Sequence, residues 1–156
     1  MHQSSIDTTE DMAKLGDLHE GAILYNIRQR YEKDLIYTYI GSILAAVNPY
    51  QRFPEAYSDA KILEYKGKPI GELSPHVYAI SNEAYSNMWK NDNNQVVLIS
   101  GESGSGKTET TKFMLRFLSF LSNEKNEDED GKSFEEQIMY ESCVSDCVYP
   151  NARIRI

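Results

Sequence analysis

Residues 101–108 read Gly-Glu-Ser-Gly-Ser-Gly-Lys-Thr, the pattern of a glycine, four residues and then Gly-Lys-Thr that marks a phosphate loop. No other stretch restricts the fold as strongly, because such a loop works only between a strand and a helix. Both flanks fit. Gln95-Val96-Val97-Leu98-Ile99-Ser100 is short, apolar and β-branched, the composition of a buried strand. Glu109 to Ser122 contains no Gly or Pro and predicts a helix. A Gly/Ser-rich turn matching by chance would have no reason to carry both.

The chemistry follows from backbone geometry. Gly101, Gly104 and Gly106 can adopt conformations closed to other residues, so successive amide N–H groups can turn toward one anion. The following helix adds its unpaired N-terminal N–H groups and the positive end of its dipole. Lys107 is placed to reach the β- and γ-phosphates, and the Thr108 hydroxyl to ligate Mg²⁺. The candidate nucleotide-binding residues of the loop are therefore Gly101, Glu102, Ser103, Gly104, Ser105, Gly106, Lys107 and Thr108, with Thr108 the metal ligand.

Elsewhere the chain is mostly helical in pattern. Residues 1–10 are polar and read as a frayed tail. Met12, Leu15, Leu18, Ala22, Ile23, Leu24, Ile27 and Tyr31 recur at helical spacing and predict one or two amphipathic helices from Asp11. Leu35 to Ile40 and Ile43 to Asn48, separated by Gly41-Ser42, predict a hairpin. Asn48-Pro49-Tyr50 ends it, and its residue types suit a plain turn. Asp59 to Lys66 reads as a short helix. Ser74-Pro75 reads as the start of a longer one running to about Lys90 and burying Val77, Ile80, Ala84, Met88 and Trp89. Phe113, Met114, Leu115, Phe117, Leu118, Phe120 and Leu121 make the helix after the loop apolar nearly all round. An acidic loop over 123–132 and a last helix from Phe134 to about Val148 complete the pattern.

Bulk properties narrow the function. A net charge of −8 argues against general nucleic-acid or anionic-membrane binding, which want a basic face. No apolar run is long enough to span a bilayer, and residues 1–7 lack the basic-then-apolar pattern of a secretory signal, so a cytosolic setting is expected. The two cysteines, Cys143 and Cys147, are too few for a zinc site. Four apart on the expected helix, they read as free thiols on one face.

Five segments in order, Asp17-Leu18-His19-Glu20, Tyr37-Thr38-Tyr39-Ile40-Gly41, Asn48-Pro49-Tyr50, Asn82-Glu83-Ala84-Tyr85 and Gly101 to Glu109, resemble myosin heads. The resemblance covers residues 11–156. The run from Asn82 to Lys90, and Gln51 where many members carry Lys, point to an unconventional class. It implies an α/β fold of the P-loop NTPase type, here a truncated head fragment with helices around an incomplete mixed sheet. It further implies ATP and Mg²⁺ as cofactors, actin filaments as partner, and a cytoplasmic, cytoskeletal setting. By the same resemblance Asn48, Pro49, Arg52 and Tyr57 line the adenine side, although the loop carrying Tyr57 is one residue longer here. The acidic stretch 123–132 corresponds to the family's surface loop near the nucleotide.

The departures are equally specific. Ser105 stands where the family usually has Ala. Pro150 replaces a glycine, and residues 143–156 diverge from the family pattern. The Ser-Ser-Arg motif of switch I and the Asp-x-x-Gly-Phe-Glu motif of switch II do not occur in the 156 residues, nor do the actin-binding segments. Phosphoryl transfer is mainly positioning and electrostatic stabilisation, of which Lys107 and Thr108 supply only part. The expectation is the nucleotide-binding part of an ATP-driven actin motor. Alone, it would bind MgATP weakly without productive hydrolysis, and no catalytic residue is assigned. The alternatives are a stand-alone P-loop kinase or nucleotidase, and a non-catalytic fragment acting through a partner. The kinase would need an apolar strand ending in Asp after Thr108, which the sequence does not offer.

Overall fold

A computed structural model describes residues 8–123, 146–148 and 153–155. These fall into two units, one formed by residues up to Phe53 together with Ser74–His76, the other by Pro54–Leu73 and the chain from Val77 onward.

In the first unit Asp11 accepts from the Ala13 N–H at 3.1 Å and starts a 3-10 turn over Met12–Lys14. Helix α1 (Glu20–Tyr31) begins separately, its N-terminus capped by His19, whose Nδ1 accepts from the Ala22 N–H at 3.2 Å. Strands β1 (Tyr37–Ile40) and β2 (Ile43–Ala46) pair antiparallel across Gly41-Ser42, as the sequence predicts, with Gly41 at φ 60°. Tyr37, Thr38 and Tyr39 are all buried, so β1 is covered on both faces.

The buried stripe of α1 is Ala22, Asn26 and Arg30, whereas Leu24 is 67 % exposed. Two of the three positions are polar because this face must satisfy backbone groups. Asn26 accepts from the Thr9 N–H at 2.8 Å and donates to the Thr9 carbonyl at 3.1 Å. The Tyr39 N–H donates to the Glu10 carbonyl at 2.8 Å. Thr9 and Glu10 are thus tied to the unit, although the sequence placed them in a frayed tail.

The second unit is built on helices α2 (Asp59–Tyr65), α3 (Val77–Asn91) and α4 (Lys107–Asn123). Ser58 caps α2 through the Lys61 N–H, and Ile62 and Tyr65 are buried. Asn82 of α3 holds the chain after α2 by accepting from the Gly67 N–H at 2.9 Å and donating to the Lys68 carbonyl at 2.8 Å. Helix α3 packs against α4. Met114, Phe117, Leu118 and Leu121 of α4 are fully buried, whereas Phe113, Leu115 and Phe120 are half-buried. The expected all-round apolar helix is in fact a stripe at i, i+3, i+4, i+7. Trp89, expected in the core, is 46 % exposed near the end of α3.

Strand β3 is short, Gln95–Val96, rather than the whole run to Ser100. It pairs parallel with β5 (Arg153–Arg155), which pairs antiparallel with β4 (Asp146–Val148). The residues after Val96 make no ladder among the described residues, and Leu98 is 88 % exposed. The helix expected from Phe134 to Val148 is overturned at its end, where residues 146–148 are a strand. The earlier part lies outside the described residues, as do the acidic stretch from 124 to 132 and Cys143. Cys147 sits in β4, so the two cysteines do not share a helix face. Among the described residues no helix is long and apolar enough to cross a membrane.

Candidate nucleotide-binding site

The phosphate loop lies wholly in the second unit, between β3 and α4. Gly104 and Gly106 adopt φ 76° and 99°, values that L side chains rarely take. The Ser105 N–H donates to the Glu102 carbonyl at 3.2 Å and tightens the turn between them. Gly106 caps α4: its carbonyl accepts the first helical bond, from the Thr110 N–H at 2.9 Å. The N–H groups of the first turn, those of Lys107, Thr108 and Glu109 among them, therefore face the loop without helical partners.

Lys107 folds back over the loop it terminates. Its ammonium donates to the carbonyls of Gly101 and Glu102, each at 2.8 Å. An ammonium has three donors, so two are used to bridge the loop's first residues and one remains for a phosphate oxygen. The positive charge is thereby fixed beside the helix N-terminus, where an anion already gains from the dipole. Thr108 is exposed in the first turn of α4, its hydroxyl on the residue next to the lysine.

No group of three or more His, Cys, Asp or Glu side chains that could hold a metal occurs among the described residues. A cation held by one hydroxyl and the phosphates themselves needs no such cluster, so the donor set at Thr108 fits Mg²⁺ bound with a nucleotide.

The residues assigned to the adenine side divide. Asn48, Pro49 and Arg52 belong to the first unit, and Tyr57 to the second with the phosphate loop. Asn48 Oδ1 accepts from the Tyr50 N–H at 2.9 Å, an Asx-type turn with Tyr50 at φ 51°. The turn chemistry read from Asn-Pro-Tyr is therefore present, and Asn48 uses its side-chain oxygen in it. Arg52 is exposed.

Tyr57 ends a 3-10 turn over Pro54–Tyr57 and is held by α3 and α4. Its ring stacks on Phe113 with centroids 3.6 Å apart and planes 2° from parallel. Tyr78 meets it edge-on at 6.3 Å, and the Tyr78 hydroxyl donates to the Tyr57 carbonyl at 3.2 Å. Two residues further, Asp59 pairs with Arg116 of α4 at 2.7 Å. Burial pushes the Tyr78 hydroxyl up to about 12, with Tyr57 and Asp59 adding and Arg116 opposing. Sequence reasoning missed Phe113, Tyr78 and Arg116 as neighbours of Tyr57. The available signal was the i, i+3 spacing of Phe113 and Arg116, which puts an aromatic and a cation on one helix face.

The family model of the myosin head (motor domain) matches residues 9–153. Myosin-VIIa of Drosophila melanogaster is 53 % identical over 122 residues, covering 78 % of this chain and 6 % of the relative. Unconventional myosin heavy chain 6 of Caenorhabditis elegans is 53 % identical over 124 residues, 80 % of this chain and 6 % of the relative. Myosin-15 of Arabidopsis thaliana is 47 % identical over 130 residues, 83 % of this chain and 8 % of the relative. The chain spans less than a tenth of the length of the curated relatives it matches.

Proposed function

Since this chain belongs to the myosin head (motor domain) family, we propose that it is the nucleotide-binding part of an ATP-driven, actin-based motor working on the cytoplasmic cytoskeleton. The observation that carries the proposal is Lys107, bridged to the Gly101 and Glu102 carbonyls at the N-terminus of α4. In this reading residues 101–108 cradle the phosphates, Lys107 neutralises their charge, and the hydroxyl of Thr108 ligates Mg²⁺. When bound, the cation supplies charge neutralisation between the phosphate oxygens. Tyr57 takes the nucleoside end, and Asn48, Pro49 and Arg52 contribute to the same side by likeness to the family.

Holding a triphosphate and hydrolysing it are separate tasks. Hydrolysis needs a water placed in line and charge stabilisation from several directions. Residues 101–108 hold the leaving side of the reaction and do not place the water. We therefore propose that the 156-residue chain by itself binds MgATP weakly and turns over almost none.

Calorimetric titration with MgATP tests binding, and a single-turnover assay with and without actin filaments tests hydrolysis. Lys107→Ala is expected to abolish binding. Binding that survives Lys107→Ala overturns the assignment of the loop, and hydrolysis stimulated by actin overturns the expectation of an inert isolated chain.

A further inference from the structure

The contact between Tyr57 and Phe113 is unusual for aromatic packing. Rings in protein interiors favour offset or edge-on arrangements with centroids 4.5–7 Å apart. Here the planes lie 2° from parallel and the centroids 3.6 Å apart, so the rings are stacked nearly atom over atom. The quadrupoles of the two rings do not favour that alignment, and flanking contacts hold it. Arg116, one turn beyond Phe113 on the same face of α4, pairs with Asp59 at 2.7 Å, and the Tyr78 hydroxyl fixes the Tyr57 carbonyl. The backbone on either side of the Tyr57 ring is thus pinned to α3 and α4, and the ring lies flat on Phe113.

Helix α4 also begins where the phosphate loop ends. Phe113 is six residues after Lys107 in one continuous helix, hence about 9 Å along its axis at 1.5 Å per residue. A rigid element therefore refers the plane of Tyr57 to the position of the phosphates. Tyr57 and Phe113 are both only half-buried, so the pair sits at the rim of the second unit rather than in its core.

We propose that Phe113 is a positioning residue for nucleobase recognition, acting through Tyr57, whose ring plane it sets for the planar base of a purine nucleoside triphosphate. The inference rests on the assignment of Tyr57 to the nucleoside end. A packing role alone would affect every ligand of the loop alike. A role in presenting Tyr57 affects only ligands that carry a base.

The experiment compares MgATP with magnesium tripolyphosphate, which has the phosphates and no base, in calorimetric titrations of the full 156-residue chain. Phe113→Leu removes the ring at similar bulk and is expected to weaken ATP by about two- to tenfold, the worth of an aromatic pair. Tripolyphosphate affinity is expected to stay unchanged, which also shows the loop intact. Phe113→Tyr restores the ring and is expected to restore ATP affinity. Equal losses for both ligands, or no loss for either, overturn the inference. Tyr57→Leu separates the two layers. If it weakens ATP selectively while Phe113→Leu does not, the inference alone falls. If it leaves the ATP-to-tripolyphosphate ratio unchanged, the assignment of Tyr57 falls and the inference with it, as it does if the chain binds neither ligand.

Discussion

The Arg30 guanidinium of α1 donates from Nε to the Thr38 hydroxyl of β1 at 3.0 Å, and from Nη2 to the Tyr37 carbonyl at the same distance. The side chain is 3 % exposed, and burial lowers its pKa from the ordinary arginine value while nearby Glu10 counters. Arg30→Met would leave two buried acceptors without a donor. A loss of about 2–4 kcal/mol is expected, since each bond to a charged group is worth roughly 1.5–3 kcal/mol and part is recovered by the apolar stem. Thr38→Val removes only one acceptor and should cost about half as much. Urea unfolding of both single variants and the double variant measures this; additive losses would show that the pair is not coupled.

Asp11 ties the first unit together at its edge. Its carboxylate accepts from the Gly41 N–H at 2.9 Å and the Ala13 N–H at 3.1 Å. The bond from Gly41 is the main cause holding its pKa below 3.8, with partial burial opposing and Ala13 and Lys14 assisting. A folded value below the unfolded one means that the contribution is present above 3.8 and fades as pH falls through the lower folded value. The Gly41 amide shift, followed by NMR during acid titration, is expected to move with a midpoint below 3.8. Asp11→Asn keeps an acceptor and should flatten that titration. A midpoint at or above the ordinary aspartate value would contradict the assignment.

Tyr78 gives the opposite limb. Its hydroxyl is raised from 10.0 to about 12, chiefly by burial. Between those values the folded state keeps a proton that the unfolded state gives up, so its contribution is complete below pH 10 and is lost as pH rises through about 12. Ionisation would also turn a donor facing the Tyr57 carbonyl into an anion facing it. Tyr78→Phe should cost about 1 kcal/mol at neutral pH and remove this alkaline limb. The difference in tyrosinate absorbance between the parent chain and Tyr78→Phe reads the titration directly. A midpoint near 10 would mean that the hydroxyl is solvated.

Legibility followed the range of the forces involved. The Gly41-Ser42 hairpin and the step from loop to α4 rest on local chemistry, and the sequence predicts both. The run Val97 to Ile99 fails as a strand because a strand exists only with a partner, and β-branched composition does not supply one. The α1 stripe fails for another reason. Apolar counting favours Leu24 and Tyr31, yet the Thr9 carbonyl needs the donor of Asn26 and the hairpin needs that of Arg30. In the candidate site the loop and its lysine were legible from the motif. The neighbours of Tyr57 were not, since a contact 57 residues apart such as Asp59 to Arg116 leaves no periodic trace.

The loop glycines differ in what they require, and that difference can be tested. A Cβ on Gly101 would lie 2.5 Å from the Ser105 Oγ and 3.2 Å from its Cβ. At Gly104 and Gly106 a Cβ would meet nothing within 4 Å, and the obstacle is the backbone, at φ 76° and 99°. Gly101→Ala therefore meets a lack of space in addition to a φ of 159°, whereas Gly106→Ala carries only backbone strain, about 1–2 kcal/mol, whatever its surroundings. Removing the hydroxyl should help only the first. In calorimetric titrations with MgATP, Ser105→Ala is expected to recover part of the affinity lost in Gly101→Ala. Recovery stays partial because the Ser105 Cβ contact at 3.2 Å persists. It is expected to recover none of that lost in Gly106→Ala. Equal recovery in both backgrounds would mean that Ser105 loosens the whole loop rather than clearing one position. The usual alanine of the family at position 105 would then be a matter of flexibility instead of space.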